Sequence, residues 1–210
     1  MQAFQMIRYP GIQRAVMALL ACVVAACTSG TGTDTGSTTD PIFLRTSSDA
    51  PSLTATTVRF YAVRGQDREV RLYYHSRAGH ADSTEFLRFR VTNQSLLTRP
   101  DGSTIANGDS LQITFTVADA ARMIIDFQPS GLRFADGRPA RLKLKFAEAS
   151  HDFNGDGVVD ARDAALVAQF AIWKREAVGL PWLKLTSLRS ADLEEIEADV
   201  TGFTQYAVAY

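Results

Sequence analysis

Apolar and polar residues alternate with a period of two along most of the chain beyond residue 56. In one example, Leu111, Ile113 and Phe115 are separated by polar residues. Such alternation predicts β-strands with one buried and one solvated face. Segments of this kind lie at 57–63, 69–75, 85–91, 111–117, 123–127, 141–147, 182–185, 195–200 and 203–210. Short, regularly spaced strands predict a mainly β fold, an antiparallel β-sandwich, and the turn at 65–67 predicts a hairpin between the first two strands.

One segment, residues 152–163, interrupts this alternation with a cluster of acidic and amide side chains. Counted from residue 152, oxygen-bearing side chains fall at loop positions 1, 3, 5, 9 and 12, and glycine falls at position 6. This is the spacing of an EF-hand-type calcium loop, in which the glycine permits a sharp turn. The predicted calcium ligands are the backbone carbonyl of Val158 and the side chains of Asp152, Asn154, Asp156, Asp160 and Asp163.

Ca²⁺ is the ion that this ligand set favours. Calcium takes about six to eight oxygen ligands, and carboxylates this close together repel one another without a cation. Asp160 is expected to bind directly or through water. Asp163 stands where the common pattern has glutamate. Its shorter side chain predicts a dissociation constant of about 10⁻⁴–10⁻³ M or somewhat tighter. The alternative is a solvated acidic turn without an ion.

Residues 161–178 follow the loop and predict a helix. Leu166, Phe170 and Trp173 would form one apolar stripe along it. The predicted loop and helix are an insertion at 150–180 between strands of the sandwich. Together with the preceding strand they resemble the calcium repeat of bacterial dockerins over about residues 152–173. Dockerins carry two such repeats, and this chain has one. The resemblance implies calcium binding and leaves a dockerin-like protein-docking module as an alternative function.

The N-terminal segment predicts export and a lipid anchor. Residues 1–14 contain two arginines and no acid, and residues 15–26 are apolar and uncharged. This apolar run suits the h-region of a signal peptide and is too short for a membrane-spanning helix, which needs about 20 residues. The run ends Val24-Ala25-Ala26-Cys27, which resembles a bacterial lipobox. The resemblance implies that Cys27 is lipidated as the first residue of the mature protein.

Two further features concern this anchor. Cys22 is a poorer candidate for lipidation because apolar residues continue past it. The same apolar run is also compatible with an ordinary cleaved signal peptide or with an uncleaved anchor. Thr28, rather than aspartate, follows the lipobox cysteine, and resemblance to Gram-negative lipoproteins then implies the outer membrane. Residues 28–40 contain only threonine, serine, glycine and aspartate, which predicts a flexible tether.

The predicted organisation is a signal peptide at 1–26, a tether at 27–41 and a β-sandwich domain at 42–210. The chain has 210 residues, of which 46% are hydrophobic, and this suits one domain with a full core. The formal net charge of −1 gives no electrostatic case for nucleic-acid binding. Both cysteines precede residue 42, so no disulfide is expected in the domain.

Two stretches resemble a known kind of sandwich. Residues 127–134 read Phe-Gln-Pro-Ser-Gly-Leu-Arg-Phe, and residues 200–209 read Val-Thr-Gly-Phe-Thr-Gln-Tyr-Ala-Val-Ala. They resemble bacterial surface β-sandwiches, which are similar to the sandwich domain of ankyrins and netrin receptors. The resemblance covers roughly residues 96–210. It implies a secreted or anchored sandwich with a structural or interaction role and no catalysis.

Catalysis and carbohydrate binding are two further functions to consider. His80, Asp82, Ser83 and Glu85 lie close in sequence, but adjacency does not supply hydrolase geometry, and we expect no enzymatic activity. Five aromatic residues leave a carbohydrate-binding module open, although aromatic residues in sandwiches more often belong to the core. These residues are Tyr61, Tyr73, Tyr74, Trp173 and Trp182.

The first interpretation is therefore a calcium-binding lipoprotein of the cell envelope that acts as a non-enzymatic structural or interaction module. Its expected partners are the membrane, through the lipid anchor, and a protein or glycan that the sequence does not identify.

Overall fold

The computed structural model describes residues 40–78 and 83–210. This part of the chain contains one short helix and thirteen strands. In chain order they are β1 (Thr57–Val63), β2 (Arg68–Tyr73), β3 (Glu85–Val91), β4 (Leu96–Thr98), β5 (Ser110–Asp119), β6 (Ile124–Gln128), β7 (Arg133–Phe134), β8 (Ala140–Lys145), α1 (Ala161–Val167), β9 (Ala171–Arg175), β10 (Leu183–Lys184), β11 (Ser187–Ser190), β12 (Glu195–Val200) and β13 (Gln205–Ala209).

Two antiparallel sheets pack face to face. The larger has six strands in the order β1-β5-β6-β13-β9-β10, and the smaller has five in the order β11-β12-β8-β3-β2. Strands β4 and β7 form a separate two-stranded sheet. Most strands of the two sheets turn alternate, apolar residues towards the opposite sheet, and this explains the alternation in the sequence. The predicted fold class, a mainly β antiparallel sandwich with one inserted loop and helix, is confirmed.

Aromatic rings fill the centre of the sandwich. The ring of Phe127 on β6 lies 5.0 Å from Phe89 on β3, 5.2 Å from Phe203 and 5.5 Å from Phe115, measured between ring centroids. Tyr206 meets the same ring edge-on at 5.7 Å. Full burial of one such side chain contributes about 1.5–3 kcal/mol. The core therefore joins both sheets without any cross-link.

A second apolar cluster lies on the other face of the six-stranded sheet. Trp173 on β9 packs there with Trp182 and with Ala207 and Ala209 of β13. The small alanine side chains leave room for the indole, whose Nε1 donates to the carbonyl oxygen of Ala209 at 3.1 Å. Phe43 meets the Trp182 ring edge-on at 5.1 Å. Both tryptophans are thus buried structural residues.

The predicted helix at 161–178 is wrong beyond its first two turns. Helix α1 ends at Val167, and residues 171–175 instead form strand β9 between β13 and β10. Because β9 has a neighbour on each side and buries both faces, Phe170 and Trp173 are apolar for reasons unrelated to a helical stripe. Leu166 is the only one of the three predicted stripe residues that lies in α1.

The predicted hairpin between the first two strands is also wrong. Strand β1 pairs with β5 in one sheet, whereas β2 pairs with β3 in the other. The connection at 64–67 therefore crosses the edge of the sandwich. It is held by bonds from Arg64 N to the oxygen of Asp109 at 3.0 Å and from Gly65 N to that of Asn93 at 2.8 Å.

Candidate calcium loop

The acidic loop at 152–163 connects β8 with α1. Three side chains in it bond to backbone N–H groups two residues further on. Asn154 Oδ1 accepts from Asp156 N at 2.8 Å, Asp156 Oδ1 from Val158 N at 2.9 Å, and Asp160 Oδ1 from Arg162 N at 2.7 Å. Each of these side-chain bonds closes a tight turn of the backbone. Asp160 is also the N-cap of α1, so the last three loop residues form the first turn of the helix.

Asp163 occupies the inside of this curl. Its side chain is buried, with 2% of the residue exposed. Oδ1 accepts from Phe153 N at 2.7 Å and from Asn154 N at 3.0 Å, while Oδ2 accepts from Asp160 N at 2.9 Å. These backbone N–H groups, led by that of Asp160, hold the pKa of Asp163 below its usual range. The residue is therefore a carboxylate at neutral pH.

Asp152, at the first loop position, is only partly satisfied by the protein. Its Oδ2 accepts from Gly157 N at 2.8 Å. Its Oδ1 is buried and has no hydrogen-bond partner. A buried carboxylate oxygen without a donor is unfavourable, and a cation removes the penalty. Gly157 has φ of +85°, the left-handed conformation that the turn at the sixth loop position requires.

An aromatic contact fixes the loop to the sandwich. The ring of Phe153 meets Phe170 edge-on at 4.9 Å, and Phe170 stacks on Tyr210 at 5.6 Å. The Tyr210 hydroxyl donates to the backbone carbonyl of Phe153. The sequence did not single out Phe153 or Tyr210, which lie 57 residues apart. The only local feature of the sequence that pointed to this attachment was the aromatic residue Phe153 next to Asp152, the first predicted ligand.

The predicted ligands are therefore placed in one loop, but their side chains do not all converge. Within residues 40–78 and 83–210, no three His, Cys, Asp or Glu side chains are grouped as a metal site. Asp156 Oδ2 instead accepts from Asn154 Nδ2 at 3.1 Å and lies 3.6 Å from Arg162 Nη1. The donor set still suits a hard cation, because it consists of oxygens and includes the unsatisfied Asp152 Oδ1.

The other sequence candidates have different outcomes. Cys27, His80 and Asp82 lie outside the described residues. Ser83 is exposed, while Glu85 is buried and bonds to Arg88 Nη2 at 3.0 Å. No helix in the part of the chain that the structure describes is long and apolar enough to cross a membrane.

The five aromatic residues weighed for sugar binding do not form a joint platform. Tyr74, Trp173 and Trp182 are buried in the sandwich, and Tyr73 is half-buried at the end of β2. Tyr61 is 60% exposed on β1 at the edge of the six-stranded sheet. Comparison with known proteins found no matching family model, no matching curated protein and no matching solved structure.

Proposed function

We propose that this protein is a calcium-binding lipoprotein of the cell envelope and serves there as a non-enzymatic structural or interaction module. The observation that carries the calcium assignment is Asp152, whose buried Oδ1 lacks a donor inside a loop of oxygen ligands. The ion would be held by Asp152, Asn154, Asp156, Asp160 and Asp163 and by the carbonyl of Val158.

Calcium would act on the sandwich through the loop's attachment. The ion neutralises carboxylates that otherwise repel one another, and it fixes the connection between β8 and β9. A fixed loop would also stabilise the core, because the ring of Phe153 packs against Phe170. A cation at ten times its dissociation constant stabilises the bound form by about 1.4 kcal/mol. The proposed role of calcium is therefore structural.

The lipid anchor is a proposal from the lipobox-like sequence that ends at Cys27. The tether that follows would hold the sandwich away from the bilayer, with the outer membrane favoured by Thr28. Metabolic labelling with an alkyne fatty acid in a Gram-negative host tests this. Cys27→Ser is expected to abolish the label, and the matched variant Cys22→Ser is expected to retain it. The reverse pattern would move the anchor to Cys22.

A docking role is the second candidate. It is favoured by Val158 and Val159, which are 59% and 66% exposed at the surface of the loop. Against it, Phe170 and Trp173 are buried and leave no apolar stripe open beside them. We therefore rank docking through this unit below a structural role.

Calorimetric titration of calcium into the chelator-treated full-length protein tests the metal site. Saturable binding is expected, and both Asp152→Ala and Asp156→Ala are expected to abolish it. Asp136→Ala is the matched control, because Asp136 is an exposed aspartate in a turn outside the loop. An absence of binding up to millimolar calcium would reduce the loop to an acidic turn.

A further inference from the structure

A polar depression lies beyond the opposite end of β8 from the calcium loop. It has a volume of about 570 Å³ and is formed where four connections meet, those at 64–67, 92–95, 99–109 and 135–139. Its lining contains two arginines and no carboxylate: Arg64, Gly65, Asn93, Gln94, Asn107, Ala135 and Arg138. Six residues of β8 separate this depression from the start of the acidic loop region, a span of about 20 Å.

Arg64 lacks an acceptor in this depression. Its Nη1 is buried and has no hydrogen-bond partner. A guanidinium keeps its charge at every physiological pH, so the group cannot relieve the penalty by losing a proton. A buried charged donor of this kind is stabilised by an oxyanion, which accepts from it with a charge-assisted bond.

Arg138 supplies a second cation at the same depression. Its side chain is exposed and forms no ion pair with any residue that the structure describes. Its backbone N–H donates to the carbonyl of Ala135 at 2.9 Å, which closes the turn that presents it. Two unpaired guanidinium groups on one depression, with no acid among the lining residues, favour an anionic ligand.

The remaining lining residues include three amide side chains, which can bond to hydroxyl groups of a ligand. The amides of Asn93, Gln94 and Asn107 offer both donors and acceptors. Gly65 keeps this surface open, because a Cβ there would lie 2.3 Å from Asn107 Oδ1. No aromatic residue lines the depression, so stacking on a neutral sugar face is not its means of recognition.

A second depression continues from the first and shares Arg138 with it. Its volume is about 390 Å³, and its lining includes Arg90, Thr92, Arg141 and one carboxylate, that of Asp199. Arg90 lies 3.3 Å from Asp67, and Arg141 lies 3.2 Å from Glu197 and 3.3 Å from Asp199. Of these five side chains, only that of Glu197 is less than half exposed. Exposed ion pairs are weak, so an added anion can compete for these arginines. Four arginines line the two depressions together.

We propose that this arginine-lined groove binds an acidic carbohydrate. Arg64 and Arg138 hold the carboxylate or phosphate group of one sugar, and the three amides bond to its hydroxyls. A second acidic sugar along the same chain reaches Arg90 and Arg141. The proposal is independent of the calcium loop, and it assigns a ligand class to a surface that the calcium and anchor proposals leave unused.

Titration of the full-length protein with defined saccharides at 0.15 M salt tests the groove. The probes are a galacturonic acid oligomer, glucose 6-phosphate, a neutral maltooligosaccharide and inorganic phosphate. We expect the galacturonic acid oligomer to bind and the neutral oligosaccharide not to bind. Binding of glucose 6-phosphate alone would assign the anion as phosphate rather than carboxylate. Equal binding of the neutral probe, or of inorganic phosphate without any gain from the sugar, would overturn the proposal, as would no binding of any probe.

Charge-matched variants separate the groove from general attraction. Arg64→Gln and Arg138→Gln are each expected to weaken binding about tenfold or more, because each removes a charge-assisted hydrogen bond. Arg59→Gln changes the net charge equally, but Arg59 lies on the exposed face of β1 and lines neither depression. Equal weakening by Arg59→Gln would overturn the proposal. Arg138→Gln keeps the test valid if Arg64→Gln fails to fold, because Arg138 is exposed.

Discussion

The aromatic core and the acidic loop are two regions of one sandwich that are ordered by different interactions. In the core, the ring of Phe127 contacts other rings on several sides, and none of these contacts depends on charge. In the loop, order depends on carboxylates such as Asp163, which accepts three backbone N–H groups. The core should therefore be insensitive to cations, whereas the loop should respond to them. The difference indicates where solution conditions can act on this fold.

The largest expected effect concerns the core alone. Phe127→Ala removes the ring that contacts both sheets and is expected to lower the free energy of unfolding by about 3–5 kcal/mol. Denaturant unfolding measures the change, with and without calcium, and the loss should be the same in both conditions. Tyr61→Ala is the control, because Tyr61 is 60% exposed and its loss should change stability by about 0.5 kcal/mol or less. A calcium-dependent loss at Phe127 would contradict the separation of the two regions.

A smaller effect is expected in the loop. Asp163→Ala leaves three backbone N–H groups without their acceptor and should cost about 1–3 kcal/mol even without calcium. It should also remove any stabilisation by calcium. Asp136→Ala, on an exposed turn, should do neither. Denaturant unfolding of both variants in chelator and in calcium makes the comparison. A calcium effect that survives in Asp163→Ala would remove Asp163 from the ligand set.

The contact between the two regions can be tested separately. Phe153→Ala keeps every proposed ligand but removes the ring that packs on Phe170. We expect calcium affinity to fall severalfold, because the ion must then order a loop that is attached to the core by the Tyr210 hydroxyl without the ring contact. Phe43→Ala is a matched control, since Phe43 is also a partly buried phenylalanine but contacts Trp182. Calorimetric titration measures the calcium affinity of both variants. Equal affinities would show that the contact between Phe153 and Phe170 does not contribute to calcium binding.

The smallest effect concerns a carboxylate outside the loop. The N–H of Ala106, followed by Arg99, lowers the pKa of Asp109 below its ordinary value. Its contribution to stability is therefore present above the unfolded-state pKa of about 4 and is lost as the pH falls through the lowered folded-state value. Asp109→Asn should make stability fall less steeply with acid below about pH 4. Chemical denaturation across that range should show the same change with and without calcium. A change that depends on calcium would contradict the expectation that calcium acts on the loop alone.

Much of the fold was predictable because alternation is a local signal. Strands β1 and β3 have the bounds that the pattern predicts, 57–63 and 85–91. Strand β9 was mistaken for a helix because it is buried on both faces and therefore does not alternate. The pairing of β1 with β5 depends on a partner about 50 residues away in the chain, which no local pattern specifies.

The spacing of the loop's ligand residues could be read from the sequence, but the contacts that attach the loop to the sandwich could not. The predicted sharp turn is present, with Gly157 in the left-handed conformation. Side-chain direction was not encoded in the spacing, because Asp163 and Asp156 bond within the loop. The contact between Phe153 and Tyr210 joins residues that are distant in sequence and could be found only in three dimensions.

A structural role for calcium is tested by calorimetric thermal unfolding of the full-length protein in chelator and in 10 mM calcium. That concentration is about ten times the upper end of the expected dissociation constant. Asp152→Ala and Asp136→Ala are measured in parallel. We expect calcium to raise the unfolding midpoint of the wild type and of Asp136→Ala by a few degrees, as about 1.4 kcal/mol would in a domain of this size. The midpoint of Asp152→Ala should not change. An unchanged midpoint in the wild type would contradict a structural role for calcium, and an equal rise in Asp152→Ala would place the ion elsewhere.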